Sequence, residues 1–200
     1  MGRRGPFPFD LWSFTLFKEI GTTVGAIPVD PLWWQNIFDE VYLITDARSV
    51  CNEELTRREV DFLEAHLQIG KSATVLDLCG GHGRHSLELA RRGYGAATVL
   101  DYSGYLVQLG RGKAGEQGLP VCFVQADARE TGLAGERFDF VLVMANSFGY
   151  FPDDSDNLQI LCEAYRLCRP GGTLLLDLLD SDYVVENFRP SSVHKATEDI

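Results

Sequence analysis

The chain has 200 residues, 45% of them hydrophobic, which is enough for one domain with a sizeable core and additional segments. Its formal net charge of −11 argues against the basic surface with which proteins bind the phosphates of DNA or RNA. Arg3 and Arg4 precede only short apolar runs, broken by Pro6, Pro8 and Asp10, so the sequence predicts neither a secretory signal nor a membrane span.

Residues 1–55 are rich in aromatic side chains and are interrupted by glycine and proline, which break any long helix. We expect this segment to be a cap or lid, with residues 56–200 forming the main domain. Its aromatic residues either pack on that domain or cover a ligand pocket. They are Trp12, Phe14, Phe17, Trp33, Trp34, Phe38 and Tyr42.

A helix is predicted to lead into the first strand. Thr56 and Glu59 have the spacing of a capping box, in which each side chain bonds a free backbone N–H at the start of a helix. Val60, Leu63 and Leu67 follow at helical spacing and would form the buried face.

The stretch from residue 73 to residue 93 joins an apolar strand, a glycine-rich turn and an amphipathic helix. Gly80, Gly81 and Gly83 allow a sharp turn and let a ligand touch the main chain, while the free N–H groups opening the helix favour an anionic group. The sequence therefore predicts a small-molecule binding loop; a tight turn without a ligand is the alternative.

Two residues around this loop argue against a dinucleotide. The Rossmann dehydrogenase pattern G-x-G-x-x-G would need glycine where Ser86 stands. Asp77, at the end of the strand, would repel a pyrophosphate. S-adenosylmethionine carries both signs of charge, so its carboxylate suits the helix N-terminus and its ammonium and sulfonium groups suit Asp77.

From Asp77 to His85 the chain reads DLCGGHGRH, which resembles the first motif of class I S-adenosylmethionine-dependent methyltransferases. Cys79 stands where that family usually has its first glycine, as in a subgroup with the pattern D-x-C-x-G-x-G-R-H. The resemblance spans roughly Ala73 to Leu179. It implies an α/β fold, a three-layer sandwich around a doubly wound, mostly parallel Rossmann-like sheet.

The same resemblance implies roles for residues at the ends of later strands. Asp101, after a strand from Ala97, would accept hydrogen bonds from the ribose, although it could instead cap a helix before Ser103. Asp127, after a strand over 121–125, would accept from the adenine amine, or is a solvated turn residue. The full cofactor set is Asp77, Cys79, Gly80, Gly81, Gly83, Asp101, Tyr102, Asp127, Ala128 and Asn146.

A fourth strand, Phe138 to Ala145, is followed by amide, hydroxyl and aromatic side chains. By the resemblance, Asn146 would lie beside the methionine part of the cofactor, and Phe148 and Tyr150 would line the methyl-transfer site together with Tyr42. Core packing is the alternative for each aromatic residue. A helix over 157–168 and a fifth strand over 173–179 complete the expected domain, with a turn at 169–172 between them.

The expected reaction is an in-line methyl transfer to a small-molecule acceptor, which requires alignment more than a fixed catalytic group. His85 and Tyr150 are candidate bases by position, and His194 by residue type. An NAD(P)-dependent oxidoreductase and a non-catalytic cofactor-binding partner subunit remain alternatives.

Cysteine usage and the C-terminal tail bear on location and partners. The odd number of cysteines and their apolar surroundings predict reduced core residues in a cytoplasmic protein, and His82 with His85 supplies too few ligands for zinc. The tail over 181–200 lacks the two apolar runs that would complete the family's sheet. We therefore expect a homo-oligomer, or a further C-terminal segment, to cover the edge of the fifth strand.

Overall fold

The computed structural model describes residues 30–188, and the chain divides between Asp30 and Pro31 into two units. All elements described below belong to the second unit. They are a 3-10 turn Trp33–Gln35, α1 Glu40–Thr45, α2 Ala47–Val50, α3 Glu53–Leu67, β1 Thr74–Leu78, α4 Arg84–Arg91, β2 Ala96–Asp101, α5 Gly104–Gln117, β3 Val121–Gln125, β4 Phe138–Val143, α6 Asp154–Leu167, β5 Cys168–Leu176 and α7 Ser181–Glu186.

The strands form one parallel sheet in the order β3-β2-β1-β4-β5, with β1 at its centre. Alternate side chains of a strand point to opposite faces. Leu76 accordingly packs in a core cluster with Ile160 of α6, whereas Val75 packs in a second cluster with Leu63 of α3 and Leu89 of α4. The predicted three-layer α/β sandwich with a doubly wound sheet is thus confirmed.

The start of α3 differs from the prediction. Asn52 is the capping residue, because its side-chain oxygen accepts a hydrogen bond from the Leu55 N–H at 3.0 Å. Thr56 lies inside the helix, and its hydroxyl donates to the Asn52 carbonyl at 2.9 Å. Asparagine caps a helix as well as threonine does, so the predicted boundary at Thr56 was one turn late.

The region predicted as a turn, 169–172, belongs to β5. The register passes from Phe138 paired with Cys168 to Phe140 paired with Thr173, so the extra residues form a bulge while the strand continues. Gly171 accommodates it with a φ of +80°. β5 also ends earlier than predicted, at Leu176, because Asp177 bonds the turn after β4.

The expectation that the cysteines are core residues holds only in part. Cys168 is buried and Cys79 is partly buried, but Cys51, Cys122 and Cys162 are exposed. Cys122 lies on β3, an edge strand, where an apolar sequence run can still have one face in solvent. All five cysteines lie in the described range and are free thiols.

Within residues 30–188, no helix is long and apolar enough to cross a bilayer. In the same range, no strand follows β5; the short helix α7 does. Four residues singled out above from their place in the sequence lie outside the described residues: Trp12, Phe14, Phe17 and His194.

Candidate functional site

A cavity opens at the carboxyl ends of the strands, the edge at which open parallel sheets bind ligands. Its walls come from β1, β2, the loops after β3 and β4, and the segment before α3. Most of the predicted site residues line it: Tyr42, Asp77, Cys79, Gly80, Gly81, His85, Asp101, Tyr102, Asp127, Ala128 and Tyr150.

The three glycines of the loop after β1 have different structural roles. A side chain at Gly80 would lie within 2.9 Å of the Asp77 carboxyl atoms, so glycine leaves room for that carboxylate. Gly81 has a φ of +58° and lines the cavity. A side chain at Gly83 would lie within 2.9 Å of Phe123 and Val99, so Gly83 serves the contact between loop and sheet and does not line the cavity.

Cys79 adopts a φ of +60°, in the left-handed region that favours glycine. This is the position at which the resemblance places a glycine in most of the family. The backbone therefore turns as it would with glycine, and a partly buried thiol is added to the cavity wall.

Asp77 is completely buried at the end of β1. The Ser86 hydroxyl donates to its Oδ2 atom at 3.0 Å, whereas Oδ1 has no hydrogen-bond partner among the described residues. Burial raises the pKa of Asp77. An unpartnered carboxylate oxygen in a cavity wall is costly without a ligand, and a cationic donor would satisfy it.

Asp101, at the end of β2, is held by the backbone on both oxygens. The Gly81 N–H donates to Oδ2 at 2.7 Å and the Ser103 N–H donates to Oδ1 at 2.8 Å. The cap of α5 is Ser103, whose hydroxyl accepts from the Leu106 N–H at 3.1 Å. Burial raises the pKa of Asp101. Asp101 is therefore a fixed carboxylate of the cavity wall, and each of its oxygens can accept a further hydrogen bond.

Asp127, in the loop after β3, is paired with Arg129. The guanidinium NH2 lies 2.7 Å from Oδ2 and the Arg129 N–H donates to Oδ1 at 2.9 Å. Burial opposes ionisation of Asp127, but the bonds from Arg129 outweigh it and lower its pKa. Asp127 is therefore an oriented, ionised acceptor at the cavity. The Arg129 guanidinium also lies 4.3 Å from the centre of the Phe151 ring.

Asn146 and Phe148 belong to the predicted site but do not line the cavity. The Asn146 side-chain oxygen accepts from the Leu179 N–H at 3.3 Å, and Phe148 packs against the core. Ala145 and Asn146 have φ values of 56° and 57°, a strained turn held by hydrogen bonds to Asp177. The ligand roles assigned to Asn146 and Phe148 remain predictions.

An aromatic wall, defined here as Trp33, Phe38, Tyr42 and Tyr150, stands beside the cavity. Phe38 stacks on Tyr150 with ring centres 5.9 Å apart and meets Tyr42 edge-on at 5.0 Å. Burial raises the pKa of Tyr42 to about 12 and also raises the pKa of Tyr150. Both phenols are therefore protonated at neutral pH, so they can donate hydrogen bonds but are poor bases.

Trp34 closes another part of the cavity wall. Its ring meets Tyr102 at 4.7 Å and Phe151 at 5.1 Å, both edge-on. The indole N–H is buried without a hydrogen-bond partner among residues 30–188. Three aromatic residues of the predicted cap, Trp34, Phe38 and Tyr42, thus contribute directly to the cavity.

A charged cluster that the sequence did not predict lies between α3 and α4. The Arg84 guanidinium donates through NH1 to the Thr56 hydroxyl at 2.9 Å and to the Glu59 carboxylate. His85 places Nε2 3.0 Å from the same Glu59 oxygen. Burial raises the pKa of Glu59, but the bonds from His85 and Arg84 outweigh it and lower this pKa to about 2. Thr56 and Glu59 suggested only a capping box, so no signal in the sequence pointed to this tertiary contact.

His82, in the glycine loop, is buried in the cavity wall. Burial, together with the positive charges of Lys113 and Arg84, lowers its pKa to about 4. The imidazole is therefore neutral at physiological pH.

A sequence profile described as a methyltransferase domain matches residues 75–172. The putative methyltransferase YqeM of Bacillus subtilis is 31% identical over 140 residues, which are 70% of this chain and 55% of that protein. The demethylmenaquinone methyltransferase of Thermus thermophilus is 36% identical over 103 residues, 51% of this chain and 45% of that protein. The chain thus spans about half the length of these curated relatives.

Solved structures agree on the fold. The PH0226 protein of Pyrococcus horikoshii superposes with a TM-score of 0.61 at 25% identity, over 74% of this chain and 65% of that one. A putative S-adenosyl-L-methionine-dependent methyltransferase of Methanococcus maripaludis gives a TM-score of 0.56 at 17% identity, over 70% and 63% of the two chains. The chain therefore has the Rossmann-like fold of the methyltransferases, and from residue 75 to residue 172 it is similar to them in sequence.

Proposed function

We propose that this protein binds S-adenosylmethionine and transfers its methyl group to a small-molecule acceptor by in-line displacement. The observation that carries the proposal is the pair of carboxylates, Asp77 and Asp101, in the wall of one cavity. Burial disfavours the charge of Asp77, so a cationic ligand group beside it relieves a cost that an anionic dinucleotide would increase. This favours S-adenosylmethionine over NAD(P).

The residues present fit this cofactor. The Asp77 Oδ1 atom lacks a partner and would accept from an ammonium group. Asp101, fixed by Gly81 and Ser103, would accept from the ribose hydroxyls, with Tyr102 beside it. The Asp127 carboxylate would accept a hydrogen bond from the adenine amine, and the Ala128 N–H would donate one to a nitrogen of the adenine ring.

In the proposed reaction, the bound cofactor would supply an electrophilic methyl carbon on a sulfonium sulfur, and the leaving group would be the neutral thioether. The protein contributes alignment and exclusion of water. Tyr42 and Tyr150 hold an acceptor through their rings and through hydroxyls that remain protonated. His85, oriented by ionised Glu59, is the candidate base for an acceptor that must lose a proton.

The aromatic wall favours a planar, largely apolar acceptor, because rings at this spacing pack well against another flat ring. One relative carries the name demethylmenaquinone methyltransferase, which is compatible with such an acceptor. We further propose a cytoplasmic location, as the free cysteines suggest, and no nucleic-acid or membrane partner.

Ligand-induced stabilisation tests the cofactor. S-adenosylmethionine and S-adenosylhomocysteine at a hundredfold excess over Kd should each raise the free energy of unfolding by about 2.7 kcal/mol, and NAD and NADP should not. Stabilisation by a nicotinamide cofactor alone would overturn the proposal. Formation of S-adenosylhomocysteine from a panel of planar acceptors then tests transfer; binding without any turnover above the Asp101→Ala variant would favour a non-catalytic subunit.

A further inference from the structure

Ser103 joins two parts of the cavity wall. Its hydroxyl caps α5 by accepting a hydrogen bond from the Leu106 N–H at 3.1 Å. Its backbone N–H donates to Oδ1 of Asp101, which lines the cavity. A cap uses only a lone pair of the hydroxyl oxygen, so the O–H proton is left for another partner. That partner is the carbonyl of Phe38, 65 positions earlier in the chain and 2.6 Å away.

The bond from the Ser103 hydroxyl is a polar link between the aromatic-rich segment and the domain. In the described part of the chain, no other hydrogen bond or ion pair joins residues 33–51 to residues 53–188. Apolar contacts also join them, for example that of Trp33 with Tyr150, whose ring centres lie 5.2 Å apart. Apolar contacts are non-directional, whereas a hydrogen bond fixes a distance and an angle. The bond from Ser103 therefore sets the position of the segment on the domain.

The Phe38 carbonyl controls the placement of two rings of the aromatic wall. It belongs to the planar peptide bond that leads to Asp39. Asp39 caps α1, because its side chain accepts from the N–H groups of Val41 at 2.8 Å and Tyr42 at 3.3 Å. One hydrogen bond therefore fixes both the backbone that carries the Phe38 ring and the start of the helix that carries Tyr42.

We infer that Ser103 is a positioning residue for the methyl acceptor. Through its N–H it orients Asp101, the proposed partner of the ribose, and through its hydroxyl it orients Phe38, which contacts the other three rings of the aromatic wall. In-line transfer requires that the acceptor nucleophile, the methyl carbon and the sulfur be collinear, so the two ends of the cavity must keep a fixed relative position. The inference rests on the proposed function, because it takes the cofactor at Asp101 and the acceptor at the aromatic wall as given.

Two variants of Ser103 separate its hydroxyl from its role as a cap. Ser103→Gly removes the hydroxyl while keeping a residue that helices accept at this position, and Ser103→Thr keeps the hydroxyl. The probe for the acceptor site is 2-naphthol, a planar aromatic alcohol, titrated in the presence of saturating S-adenosylhomocysteine. Ser103→Gly should weaken 2-naphthol binding by about threefold to tenfold, the scale of one neutral hydrogen bond, and should change S-adenosylhomocysteine binding less than about twofold. Ser103→Thr should bind both ligands as the unaltered protein does.

The matched control is Asp153→Gly. Asp153 caps α6 by accepting from the Ser155 N–H at 2.9 Å, so this variant also replaces a helix cap by glycine. Asp153 does not line the cavity, and the variant should leave both affinities unchanged.

Hydrogen exchange gives a second readout that needs no acceptor. The Leu43 and Asp46 N–H groups donate to the Asp39 and Tyr42 carbonyls of the segment. Both amides should exchange about threefold to tenfold faster in Ser103→Gly than in Ser103→Thr, because the segment opens more often without its bond to the domain.

Equal weakening of both ligands by Ser103→Gly, or exchange rates that match those of Ser103→Thr, would overturn the inference and leave the proposed function intact. If the unaltered protein binds S-adenosylhomocysteine but no 2-naphthol, the planar acceptor is wrong and hydrogen exchange decides whether Ser103 holds the aromatic wall. If it binds no S-adenosylhomocysteine, the proposed function fails and the inference fails with it.

Discussion

At the scale of single residues, the backbone conformation of Cys79 shows that cysteine can take the place of the usual glycine in the loop after β1. Its φ of +60° shows that the backbone demand for glycine persists and that cysteine meets it at a cost of about 1–2 kcal/mol. The sequence motif could therefore be interpreted despite the substitution. The contacts of Arg84 could not be predicted, since they involve Thr56 and Glu59, residues 25 or more positions away that only packing brings close.

Asp101→Ala should weaken S-adenosylmethionine binding by about 1.5–3 kcal/mol, the range for a hydrogen bond to a charged group. The variant also leaves the N–H groups of Gly81 and Ser103 without their acceptor. Asp101→Asn keeps one acceptor oxygen, so it should weaken binding less than Asp101→Ala does. Calorimetry measures both. Asp61→Ala removes an exposed carboxylate of α3 and should not change the affinity. Unchanged binding by folded Asp101→Ala would contradict the ribose assignment.

At the scale of elements, strands β1 to β4 were predictable because their apolar runs are short and bounded by acidic or polar residues. The bounds of α3 and β5 were not, and neither were the end of β4, which lies at Val143 and not at Ala145, and the start of α6, which lies at Asp154 and not at Asn157. A residue such as Thr56 can cap a helix, or it can lie inside the helix and take part in a tertiary contact. The run R-P-G-G, which is typical of the end of a helix, can also lie within a strand when a bulge accommodates the extra residues. The edge of the sheet at which the cavity lies could be predicted, because the carboxyl ends of parallel strands meet there. The contributions of Trp34 and Tyr42 could not be predicted, because they depend on how the segment before α3 packs.

Gly81 and Gly83 allow a matched test of the loop, since both have positive φ but face different surroundings. Gly83→Ala should lower the free energy of unfolding by about 2–4 kcal/mol, because strain adds to overpacking against Phe123 and Val99. Gly81→Ala should cost about 1–2 kcal/mol of stability, since its new methyl group meets Leu106 at an ordinary 3.4 Å, and should weaken ligand binding.

Denaturant unfolding and calorimetry separate these two effects. A Gly83→Ala protein that folds should bind the cofactor with nearly unaltered affinity. If Gly81→Ala binds as tightly as the unaltered protein, the loop is only a turn and the ligand does not approach its backbone.

At the scale of the whole molecule, acid should destabilise the fold through His82. Its pKa is about 4 when folded and about 6.5 when unfolded, so the unfolded chain takes up a proton first as the pH falls. Stability is therefore full above pH 6.5 and falls by roughly 3 kcal/mol toward pH 4. Glu59, with a pKa lowered to about 2, acts in a separate window below its ordinary 4.5.

Urea unfolding between pH 7 and pH 4 checks the contribution of His82. The difference in stability between His82→Gln and the unaltered protein should depend on pH in that range, because the variant no longer takes up this proton. A constant difference across the range would show that His82 is not buried in its neutral form.

β5 forms one edge of the sheet, and α7, which follows β5 in the chain, exposes apolar side chains. Tyr183 is 66% exposed, Val185 65% and the following Phe188 70%. We propose that a second copy of the chain, or a further polypeptide segment, covers this edge. Light scattering of these 200 residues should show association that Val185→Glu with Phe188→Glu reduces. Leu158→Glu, exposed on α6, should not; a stable monomer would contradict the proposal.

The fluorescence of Trp34 can report ligand binding in the cavity. Indole emission shifts with the polarity around the ring, and this ring lies in the cavity wall between Tyr102 and Phe151 with an unpartnered N–H. A ligand that displaces water there changes the emission of Trp34, and Trp12→Phe with Trp33→Phe would leave it as the chain's sole tryptophan. Cofactor affinity can then be titrated in solution by fluorescence before any methyl acceptor has been identified.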